Sequence, residues 1–163
     1  MALSTQGIAH QIVSSLITYR KDNLGTINDC KVVLNHLIRK FSEPLEKEGK
    51  QRYYRSKNLI DNCKVIKEHL FPVNEIMSHL LSIEMNTSKS VLSDNVARYL
   101  QDALVIVYVT EAEDQALNDF GYQRKMPKEY LEHDHPLFND IWARYKSAGI
   151  YRNIVSYATY QND

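Results

Sequence analysis

Apolar residues return every three to four positions through much of the first half of the chain, the spacing that buries one face of a helix. Ile8, Ile12, Val13, Leu16 and Ile17 predict a helix from about Ser4 to Tyr19, and Gly25 separates it from the next. From Thr26, a second face carries Ile27, Val33, Leu34, Leu37, Ile38 and Phe41, fraying near Pro44 and stopping at Gly49. The stripe Leu59, Cys63, Ile66 and Leu70 predicts a third helix, closed by Pro72. Asn74 then caps a fourth, with Ile76, Met77, Leu80 and Leu81, and the polar run from Asn86 to Ser90 leads out as a loop.

The pattern changes in the second half. Ser93-Asp94 can cap a helix through Leu100, after which ALVIVYVT, from Ala103 to Thr110, is the one strong β-branched run and reads as a buried strand. Thr110-Glu111-Ala112-Glu113 matches a capping box, so a helix is predicted from there to Gly121. One long helix from Asp94 to Phe120 is the competing reading, because Val96, Leu100, Ala103, Leu104 and Val107 also share a helical face. Leu137, Ile141, Trp142 and Tyr145 predict a helix ended by Gly149, and IYRNIVSYATY after it a second strand. The expectation is a single compact α+β domain over residues 1–163, mostly helical with a small sheet in the C-terminal half; the alternative is all-α.

Composition narrows the function classes. Twenty Lys and Arg balance twenty Asp and Glu, so no global field draws the chain to nucleic acid or an anionic membrane, and any electrostatic role is local. No apolar run approaches membrane-spanning length, no basic leader opens the chain, and Cys30 and Cys63 stand alone. These features predict a cytoplasmic protein with no membrane role.

Locally, KEGKQRYYRSK combines Lys47, Lys50, Arg52, Arg55 and Lys57 with Tyr53 and Tyr54, cations that hold phosphate beside rings that stack on bases. On a helix, Lys50, Tyr54, Lys57, Asp61, Lys64 and Glu68 share one stripe, and the pairs Lys57–Asp61 and Lys64–Glu68 mark a solvated face, which leaves the first turns as the candidate. Arg124 and Lys125 sit with Tyr122 and Tyr130 in a predicted loop. Arg144 and Arg152 lie among Trp142, Tyr145, Tyr151, Tyr157 and Tyr160. One continuous surface requires these three segments to converge.

Chemistry of other kinds is thinly represented. Glu132-His133-Asp134-His135 is the densest run of metal-ligand types; if extended, it puts His133 and His135 on one side, with further ligands needed from elsewhere. No Gly-x-Ser-x-Gly elbow, Walker loop or dinucleotide fingerprint is present, and no cofactor is implied. Glu111, Glu113 and Asp114 suit the positive end of the helix they open. The expected function is a non-catalytic binding or regulatory protein, homo-oligomeric, whose basic-aromatic surface engages nucleic acid or a nucleic-acid-bound partner. The alternatives are a self-associating protein–protein adaptor with no nucleic-acid role, and a metal-dependent hydrolase using Glu132–His135.

Overall fold

The computed structural model describes residues 4–157, which fall into two compact units: the chain up to residue 51 with 76–103, and 52–75 with the chain from 104 onward. The fold is α+β, largely helical with a four-stranded mixed sheet.

The first unit is helical, as its periodicity predicts. Helix α1 (Thr5–Arg20) packs against α2 (Ile27–Lys47) and α4 (Lys89–Ala103) through Ile8, Ile12, Leu16, Leu34, Ile38, Phe41, Val96 and Leu100, all buried. Local signals set the ends. Ser4 caps α1 by accepting the Gly7 amide, and Thr26 and Asp29 form a capping box on α2. Gly49 takes φ 67° just after α2, a conformation that costs glycine little. Helix α2 runs through Pro44 rather than fraying there. Glu48 then accepts from the Thr5 amide and hydroxyl, at 3.1 and 3.0 Å. Helix α3 (Val73–Ser82) starts just after Pro72, so Asn74 lies inside it and not at its cap.

The second unit holds the sheet, and here one sequence expectation fails. The segment read as a third helix is two strands, β1 (Tyr53–Ser56) and β2 (Val65–His69), so the sheet draws half its strands from the N-terminal half of the chain. Asn62 between them has φ 67°, which no helix accommodates, and the adjacent tyrosines and Val65-Ile66 are strand-forming types. The predicted helical pairs are not made: Lys64 meets Glu111 at 2.7 Å and Glu68 meets Arg144 at 3.1 Å.

The strand order is β2-β3-β1-β4, with β3 (Ile106–Thr110) parallel to β1, while β2 and β4 (Ile154–Ser156) run antiparallel to their neighbours. The two strands predicted to pair, β3 and β4, are therefore separated by β1. Thr110 and Glu113 form the predicted capping box, and α5 (Glu111–Asp119) follows directly, so residues 94–120 are helix, strand and helix, not one long helix. Leu117 from α5, with Tyr145 from α6 (Ala143–Ser147) and Ile150 after it, covers one face of the sheet over Val107 and Val109. Among the described residues, no helix is long and apolar enough to cross a membrane.

Candidate nucleic-acid interface

Side chains alternate along a strand, so the ladder register determines which residues share the face opposite the one that Leu117 and Tyr145 cover. Lys67 lies opposite Tyr108, Tyr108 beside Arg55, and Arg55 opposite Val155, forming one row of cation, ring, cation and valine across all four strands. The neighbouring row contains His69, Ile106 and Tyr53, with Tyr157 two residues beyond Val155 on the same side. The rings meet across strands. Tyr53 and Tyr108 stack with centroids 6.1 Å apart and planes 8° from parallel, and Tyr157 tilts against both at 6.3 and 6.2 Å. Tyr157 is 38% exposed, Lys67 is exposed, and Tyr53, Arg55 and Tyr108 are half-buried. Arg55 donates from Nη2 to the Leu59 carbonyl at 2.9 Å, which anchors the guanidinium towards the loop after β1.

The ends of the two parallel strands are tied by Glu113, which is 5% exposed. Its Oε1 accepts from Ser56 Oγ, Asn58 Nδ2 and Asn153 Nδ2 at 2.8, 3.0 and 2.9 Å, and its Oε2 from the Thr110 amide and hydroxyl at 3.0 and 3.1 Å. Burial pushes this carboxyl up, but the bonds from Thr110, Ser56 and Asn153 outweigh burial and hold it below the usual carboxylate range. A carboxylate so fully engaged is a clamp rather than a proton carrier.

Only some of the residues singled out from the sequence reach this face. Tyr53 and Arg55 do. Tyr54 points the other way, into the covered core, where its ring meets Trp142 edge-on at 4.9 Å. Arg144 is 0% exposed and is not a surface cation. Its guanidinium donates to the carbonyls of Leu70 at 3.0 Å, Tyr122 at 2.9 Å and His69, and to the Glu68 carboxylate. Burial raises the Glu68 carboxyl, with Arg144 opposing and Asp114 adding to the rise. Lys57 and Arg52 are exposed at the two ends of β1, and Arg152 is exposed in the turn before β4. Arg124 and Lys125 are exposed in the loop after α5, held at Tyr122 by Arg144 and at Met126 by Glu75. Lys47 and Lys50 belong to the helical unit, where Lys50 pairs with Glu48 at 2.8 Å.

The Glu132–His135 run is a turn, closed by the His135 amide on the Glu132 carbonyl, so its histidines do not line up as on a strand. His133 packs on Phe138 at 4.2 Å and His135 Nδ1 accepts the Leu137 amide at 3.1 Å. Among the described residues, no three His, Cys, Asp or Glu side chains gather as a metal site would require. Tyr160, part of the late tyrosine cluster, and the end of the predicted second strand lie outside the described residues.

Lys67 and Tyr108 escaped the sequence reading. The apolar stripe from Leu59 to Leu70 puts Lys67 on a helix, and the β-branched run puts Tyr108 inside a buried strand; only alternation within the observed strands finds them. Compared with family models, curated proteins and solved structures, the chain matches none.

Proposed function

We propose that the protein binds single-stranded nucleic acid through the face of its sheet that carries Tyr53 and Tyr108, with no strong preference for sequence. The observation that carries this reading is the row Lys67–Tyr108–Arg55 with Tyr53 and Tyr157 stacked beside it. Bases of any identity stack on tyrosine rings, and the flanking cations neutralise the phosphates between successive bases. The balanced net charge means that attraction is local and that non-specific affinity is modest.

The test is binding of a fluorescent oligo-dT and oligo-U by anisotropy across a salt series. The expected result is saturable binding whose log affinity falls linearly with log salt. The double variant Tyr53→Ala, Tyr108→Ala should weaken binding by roughly tenfold or more, each stacked base being worth about 1–3 kcal/mol, while the matching Tyr→Phe pair retains it. Absent binding, or binding indifferent to the loss of both rings, would refute the reading.

A further inference from the structure

A second basic-aromatic cluster lies away from the tyrosine face. A cleft of about 420 Å³ is lined by Lys146, Gly149, Tyr151 and Arg152. It lies towards the helix-covered side of the sheet, since Tyr151 packs on Trp142 at 5.3 Å and Trp142 packs on the inward ring of Tyr54. We propose that this cleft is a subsite for a phosphate group.

One of the two charges lining it is held in place by its neighbours and the other is free to engage a ligand. Lys146 Nζ is 2.5 Å from Asp140 Oδ2 and 5.0 Å from the centre of the Tyr151 ring, so its ammonium is fixed at the wall. Arg152 is exposed, with no hydrogen bond or ion pair to any described residue. The Lys57 backbone amide donates to the Asn153 carbonyl at 2.9 Å, which ties the end of β1 to the turn that carries Arg152. Two cations, Lys146 and Arg152, therefore line the cleft, and Asp140 pairs with the first. Gly149, at φ 74°, ends α6, and a Cβ built there meets nothing within 4 Å, so that wall is open to an incoming group.

The chemistry fits a tetrahedral dianion. A planar guanidinium grips two phosphate oxygens at once, an ammonium takes a third as a point charge, and the Tyr151 hydroxyl can donate to either. The phosphate can be the end of a nucleic-acid strand or that of a small phosphomonoester; both present the same group to Arg152. This inference does not rest on stacking at the other face.

The experiment uses the full chain in an amide-resolved NMR titration with inorganic phosphate, against chloride at equal ionic strength. Saturable shifts are expected at Gly149 and Arg152. Arg152→Ala should weaken phosphate binding about tenfold or more, the loss of one charge-assisted pair, while Lys128→Ala, an exposed cation outside the cleft, leaves it unchanged. The Tyr53→Ala, Tyr108→Ala variant should bind phosphate normally, so failure here and failure of the stacking face are separable. A 5′-phosphorylated oligonucleotide that binds tighter than its 5′-hydroxyl twin, with the difference lost in Arg152→Ala, assigns the group to a strand end. Equal binding of the two, together with saturable phosphate, assigns it to a small phosphomonoester. A response matched by chloride, or equal weakening in Arg152→Ala and Lys128→Ala, overturns the subsite.

Discussion

The two faces of the sheet use the same residue types for opposite ends. On the covered face, Tyr54 is a core ring against Trp142 and Arg144 is a buried fork satisfied by three carbonyls and Glu68. On the opposite face, Tyr53 and Tyr108 form a stack flanked by Arg55 and Lys67. Tyr53 and Tyr54 are adjacent in sequence and differ only in parity, so rings and cations in a short motif cannot be assigned to a surface by type alone.

The contrast is most easily broken at Arg144. Arg144→Ala leaves the Glu68 carboxylate and three buried carbonyls without their donor, and should destabilise the protein by about 3–5 kcal/mol in urea denaturation. A loss under about 1 kcal/mol would mean the fork is dispensable. The adjacent tyrosines come next. Tyr54→Ala should cost about 2–4 kcal/mol while leaving oligonucleotide affinity alone, and Tyr53→Ala should lower affinity with a smaller loss of stability. Equal effects from both would dissolve the distinction between the faces.

Glu113 sharpens the comparison through pH. Its folded pKa lies below the ordinary 4.5, so the carboxylate contributes stability that is fully present above the unfolded pKa and lost as pH falls through the folded one. Glu113→Gln should cost about 1–3 kcal/mol at neutral pH, and the variant should lose less further stability than wild type on acidification, as read from urea melts at several pH values. The smallest effect belongs to Lys67→Ala. It should reduce the salt slope of oligonucleotide binding by about one and leave thermal unfolding within error.

The helical unit was largely legible from sequence. Each turn of α1, α2 and α4 is stabilised by contacts three and four residues away, so the pattern that buries Ile8, Leu34 or Val96 is written within a single window. The capping box at Thr110 was legible for the same reason. Strand β1 was not, because four residues carry too little alternation to compete with the chance helical stripe through Leu59, Cys63, Ile66 and Leu70. The candidate site was half legible. Tyr53 and Arg55 stand out by composition and Tyr157 by its tyrosine-rich surroundings, but Lys67 and Tyr108 belong to two other strands, β2 and β3.

Sequence alone determined roughly where the helices of the first unit run, that Thr110 and Glu113 cap a helix, and that a β-branched strand precedes it, all through interactions spanning a few residues. Tertiary structure decided which tyrosines and cations share a face. A strand's hydrogen-bonding partner lies at any distance along the chain: β1 pairs with residues near 107 on one side and near 155 on the other. Once that register is set, the two-residue period of the strand sends Tyr54 to the core on one face and Tyr53 and Arg55 to the other face.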